Sequence, residues 1–175
     1  MPLIVEDGTG KTNADSFISV ADATTYHSNR GNADWAALAS DTVREQCLRK
    51  ATDYMERAFK FRWAGYRTTS TQALSWPRAD VPIPDAPAVF AGYPGFLESD
   101  ELPVTIANAC AELALKASAG ELLADLTQMK TRVVVGPIET EYAPHSPQAK
   151  RYPAIEAMLA PYLSMAAGTV VGVRA

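Results

Sequence analysis

The sequence predicts a mainly α fold: a small helical bundle carrying a long proline-rich extended loop and a β-hairpin. Three observations predict it. Apolar residues recur at three- and four-residue steps through Val43, Cys47, Ala51, Tyr54, Met55 and Ala58, and again through Ile106, Cys110, Leu113 and Ala117. Each set forms one face of a helix. Between Thr68 and Pro103 stand six prolines (Pro77, Pro82, Pro84, Pro87, Pro94, Pro103), which rule out regular helix over most of that stretch. From Arg132 to Tyr142 the period changes to that of a strand: Val133 to Val135 is a β-branched run, Gly136–Pro137 breaks it, and Ile138, Thr140 and Tyr142 alternate with Glu139 and Glu141. With 175 residues, 47% of them apolar, the chain suits one domain, residues 1–175.

The elements follow in order. Residues 1–18 read as an extended N-terminal arm, and 19–67 as helices. Ser19 caps the first helix, with Asp22 in its first turn, and the helix runs to about Asn29 before Gly31 stops it. Asp34 caps a brief turn through Trp35 and Leu38, and Asp41 opens the longest helix. Residues 68–102 form the extended loop, and a loop this long in a compact domain usually has a task. A core helix follows over 103–126, with Pro103 in its first turn and Gly120 ending or interrupting it. The hairpin spans 129–143, a short helix 153–164, and an apolar tail 165–175.

Formal net charge is −4, but the charge is unevenly spread. Arg44 to Arg78 holds eight basic and three acidic residues, a local net of +5, which leaves eight basic and seventeen acidic residues elsewhere, a net of −9. Nothing resembles a signal peptide or a membrane span, so a reducing cytoplasm is the expected place of synthesis and no membrane partner is expected. Cys47 and Cys110 fall on helical apolar stripes and read as buried small hydrophobes.

Few residues point to chemistry. GTGKT at Gly8 to Thr12 has the end of a phosphate-binding loop, but Val5 stands where its first glycine belongs, and no helix begins at Lys11. His27 and His145 are far apart, and no paired-cysteine or paired-histidine spacing suggests zinc. No nucleophile elbow is present, and Glu139 with Glu141 reads as the wet face of a strand. The expectation is a protein without catalytic residues, metal or cofactor. What remains is RAFKFRWAGYR, where Arg57, Lys60, Arg62 and Arg67 interleave with Phe59, Phe61, Trp63 and Tyr66. Arginine and aromatic residues are enriched at protein interfaces. The candidate interface is Arg57, Phe59, Phe61, Arg62, Trp63, Tyr66 and Arg67, with Trp76 and Arg78 from the loop. Single-strand binders use the same residue types, cations that follow the backbone and rings on which bases stack. The alternative nucleic-acid set is Arg57, Lys60, Arg62, Trp63 and Arg67.

The ordered series PLIVEDGTG, ADSFIS, RGNADWAAL, LRKATDYME, TQALSWPR, VGPIETEY and RYPAIEAMLAPYL resembles a family of tailed-bacteriophage and prophage proteins, over Leu3 to about Leu163. Its members carry two labels, head–tail connector (adaptor) protein and DnaT-like single-stranded-DNA-binding protein. The resemblance implies a helical bundle assembled into a ring, docked on a portal protein in the virion neck. Such a ring extends the channel for double-stranded DNA and carries the next neck or tail-completion protein. A ring of about twelve copies would use heterologous contacts, so a basic segment can meet the acidic side of the next subunit. That makes RAFKFRWAGYR first a protein interface, with single-stranded DNA binding as the alternative. On this role the tail GTVVGVRA, through Val170, Val171, Val173 and Arg174, is the candidate portal anchor.

Overall fold

The computed structural model describes residues 1–85, 95–125, 132–135, 137–141 and 150–164. Helix α1 (Val20–Ser28) starts where Ser19 Oγ accepts the Asp22 N–H at 3.0 Å and donates to the Asp22 carboxylate at 2.6 Å. It ends on Asn29, and the chain turns at Gly31, where φ is +68°. The one-turn α2 (Ala33–Ala36) is preceded by Asn32, not by Asp34 as expected; Asp34 lies inside the first turn, where its charge meets the positive end of the helix. Ser40, not Asp41, caps α3 (Asp41–Phe59): its Oγ accepts the Val43 N–H at 3.4 Å, while Asp41 pairs with Arg44 at 2.7 Å.

Helices α3 and α4 (Val104–Ser118) form the central pair. Leu48, Ala51 and Met55 from one, and Ile106, Cys110 and Leu113 from the other, are fully or almost fully buried. Pro103 sits just before α4 as its cap position. Both cysteines are free and buried, and burial pushes the Cys110 thiol up to about 11. α1 lies against α4 through His27, whose Nε2–H donates to the Ala111 carbonyl at 3.1 Å while Nδ1 accepts from Asn32 Nδ2 at 3.0 Å. Helix α5 (Pro153–Leu159) and the following 3₁₀ turn, Ala160–Tyr162, pack on α4 through Ile155 and Leu159.

The proline-rich excursion is extended, as the prolines require, but it is also paired. Strand β1 (Tyr66–Arg67) runs antiparallel to β2 (Arg78–Ala79), with Tyr66 opposite Ala79 and Arg67 opposite Arg78. Beyond β2, Ile83 N–H donates to Gly95 O at 2.8 Å and Leu97 N–H to Val81 O at 2.9 Å. TQALSWPR locks this excursion onto the bundle. Buried Gln72 donates to the Leu74 and Pro77 carbonyls, and Ser75 places its N–H and its hydroxyl on the two oxygens of Glu56 in α3, each at 2.7 Å. Trp76 is 0% exposed, edge-on to Trp63 and Tyr162 at 5.8 and 5.9 Å.

The hairpin is β3 (Arg132–Val135) with β4 (Ile138–Glu141), antiparallel, with Val135 opposite Ile138. The expected wet face at Glu139 and Glu141, together with His145, Pro87, Pro94 and the tail residues Val170, Val171, Val173 and Arg174, lies outside the described side chains.

Candidate nucleic-acid interface

The aromatic–basic segment begins as the last turn of α3 and keeps a helix-like bend past it. Lys60 is in the right-handed helical region (φ −46°, ψ −43°), and Arg62 N–H donates to Phe59 O at 2.8 Å. Residues four apart therefore share a side, as on a helix, in place of the strand-like alternation that would turn positions 59, 61 and 63 inward together. Phe59 and Trp63 point in, 2% and 4% exposed, with ring centroids 5.7 Å apart. Phe61, between them, points out and is 93% exposed. The strand-ward end is held by the chain after α5: Ala64 N–H donates to Tyr162 O at 2.9 Å, and Ser164 N–H to Arg62 O at 2.6 Å.

This geometry divides the candidate residues. Arg57, Lys60, Phe61, Arg62 and Tyr66 are exposed. The Arg57 guanidinium reaches Asp53 only at 4.0 Å, between two well-solvated side chains, so the pair holds it weakly. Arg62 carries its guanidinium 5.2 Å from the Phe59 ring centroid. Phe59, Trp63, Trp76 and Arg78, by contrast, belong to the interior of the chain. Trp63 therefore offers no face on which a base can stack, which corrects its place in the nucleic-acid set; Phe61 and Tyr66 are the accessible rings. Arg78 is a tether: Nε donates to Ala64 O at 2.7 Å, Nη2 to Gly65 O at 2.7 Å and Nη1 to Ser75 O at 3.2 Å. Burial, and then the neighbouring Arg67, push its pKa down. Arg67 is half-buried on the opposite strand.

Beside Arg57 lies a pocket of about 130 Å³ lined by Lys50, Asp53, Tyr54, Arg57 and Glu121 to Leu123, with Lys50 and Glu121 paired at 3.2 Å. No local pattern marks it, because Glu121–Leu123 is remote from α3 along the chain.

The GTGKT turn does form an anion cradle, but its anion is internal. Glu6, 2% exposed, accepts the N–H groups of Asp7, Gly8 and Gly10 on Oε1, at 2.9 to 3.2 Å, and that of Lys11 on Oε2 at 2.9 Å. Gly8 has φ +100°, and a Cβ there would lie 1.8 Å from the Asp100 carbonyl oxygen, so the turn requires glycine. The donors a nucleotide phosphate would use are taken. Among the described residues, no three His, Cys, Asp or Glu side chains cluster as a metal site, and no helix is long and apolar enough to cross a membrane.

No curated protein and no solved structure matches the chain. A family model described as "Putative DnaT-like ssDNA binding protein" matches residues 1–175, which is the second of the two labels that the sequence resemblance implied. Because the match spans the entire sequence, the chain belongs to the DnaT-like ssDNA binding protein family.

Proposed function

We propose that this chain binds single-stranded DNA across the surface that follows α3. The observation that carries the reading is Phe61, a ring 93% exposed at the end of a long helix, with Arg57, Lys60 and Arg62 exposed around it. Exposed rings stack on bases of any sequence, and cations follow the phosphates. Tyr66, 58% exposed, supplies a second ring. The family description names the same ligand. With so few cations, affinity is modest and falls steeply with salt. Fluorescence anisotropy with a labelled oligodeoxythymidylate tests this. Phe61→Ala should weaken binding by about 1–3 kcal/mol, the value of one base stack. Absence of binding at low salt, or full affinity in both Phe61→Ala and Arg62→Ala, would sink the proposal.

The charge division supports a second reading. A +5 segment on a −9 remainder suits head-to-tail contacts between copies, and Ile83 and Phe96, 37% and 56% exposed on the excursion, add apolar surface to it. On this reading the chain forms a ring that docks on a phage portal, passes double-stranded DNA and carries the next neck protein. Light scattering and capsid attachment test it: a closed ring that joins portal-bearing capsids but ignores oligonucleotides would displace the first reading.

A further inference from the structure

The β1–β2 ladder places two arginines, Arg67 and Arg78, directly opposite each other. Opposed residues in such a ladder sit about 5 Å apart at Cβ, and like charges there repel. Among the described residues neither guanidinium has a carboxylate within ion-pair distance. The nearby Glu56 carboxylate is committed to Ser75 through both oxygens. Each of the three Arg78 nitrogens donates one hydrogen to a carbonyl. Arg67 is not held in this way: among the described residues its buried Nε meets no acceptor.

A second observation points the same way. The buried side-chain donors left without an acceptor among the described residues are Trp63 Nε1, Arg67 Nε and Trp76 Nε1. All three fall on the two segments that this ladder joins. The neighbourhood is rich in donors and positive charge and poor in acceptors. A buried donor without a partner is unfavourable, and of the three residues only half-buried Arg67 has a side chain that reaches the surface, where an anion can meet it.

We infer that Arg67, backed by the fixed charge of Arg78, is a phosphate-binding subsite. It deepens the single-strand reading and rests on it for the source of the phosphate: one phosphodiester of the strand whose bases stack on Phe61 and Tyr66. The guanidinium fork suits a tetrahedral anion with two oxygens to offer. Arg67 is then the phosphate-positioning residue of the site, distinct in role from the exposed rings.

The test has two arms. In the first, thermal melting is compared in sodium phosphate and in sodium chloride at equal ionic strength. Wild-type protein should melt a few degrees higher in phosphate, because a ligand that binds only the folded state stabilises it. Arg67→Gln should lose that increment while remaining folded, since it removes a repelling charge, and Arg67→Lys should keep most of it. No phosphate-specific increment in wild type, or an increment that survives Arg67→Gln, overturns the subsite. In the second arm, oligodeoxythymidylate binding is measured across salt concentrations. Arg67→Gln should weaken binding about tenfold and shrink the slope of log K against log salt by about 0.7, one phosphate contact on a single strand. Phe61→Ala should weaken binding with the slope unchanged. An unchanged slope in Arg67→Gln overturns the strand as the source of the phosphate. If wild type shows the phosphate increment but binds no oligonucleotide, the proposed function fails and the anion subsite stands.

Discussion

Phe61 and Trp63 are two residues apart and have opposite fates. Both are large rings in one basic run, and composition alone gave no reason to separate them. The separation comes from the backbone at Lys60, which prolongs helical curvature by one residue and so pairs Trp63 with Phe59. That conformation was not legible in the sequence, because no glycine or proline marks where α3 gives way to the strand until Gly65. Trp76 read as an interface candidate in the sequence; it is buried instead, because the loop that carries it is also held in place by Gln72, Ser75 and Arg78. Trp76→Ala should lower unfolding free energy by about 3 kcal/mol in urea denaturation, as for other buried aromatics. Phe61→Ala should leave the urea midpoint unchanged, because a side chain 93% exposed contributes little to folding. The contrast between these two variants separates a core ring from a functional ring.

At the scale of elements, the apolar stripes of α3 and α4 were readable because the buried residues of each, Cys47 to Phe59 and Ile106 to Ala117, recur at helical spacing. The caps were less so: Ser40 and Asp41 are both good capping residues in adjacent positions, and only the extended backbone at Ser40 decides between them. The seam between α1 and α4 has its own signature. His27 is buried as a neutral ring that both donates and accepts, and burial lowers its pKa from 6.5, only partly opposed by the Ala111 bond and the charge of Glu112. Well above pH 6.5 neither the folded nor the unfolded state carries this proton, and the seam is at full strength. As pH falls below 6.5 the unfolded chain protonates first, so stability drops until the lowered folded value is passed. Urea midpoints measured at about pH 7.5 and about pH 5.5 should show this loss in wild type and a smaller one in His27→Gln.

For the whole molecule, the mainly helical bundle with an excursion and a hairpin was legible, since length, period and prolines all report on local backbone. What joins remote pieces was not. The ladder between Tyr66–Arg67 and Arg78–Ala79, and the bond from Ser164 to Arg62 across the chain, depend on tertiary placement that no local pattern encodes. The two functional readings part at the C-terminal tail GTVVGVRA, the candidate portal anchor. Removing residues 168–175 should leave melting temperature and oligonucleotide affinity unchanged on the single-strand reading. On the connector reading it should abolish attachment to portal-bearing capsids, and a capsid pull-down with the truncated protein decides which effect occurs.

The turn from Asp7 to Lys11 is a host whose guest, the side chain of Glu6, is joined to it by the chain itself. Seen this way, the Glu6 carboxylate is a replaceable solute, and the turn behaves as a receptor with its own selectivity. Glu6→Gly should strand four inward-facing N–H groups and cost about 3 kcal/mol, more than the loss of an ordinary neutral hydrogen bond. Formate or acetate added to that variant should recover part of the lost melting temperature, and chloride at the same ionic strength should recover none. Wild type should respond to neither carboxylate, since its receptor is already full.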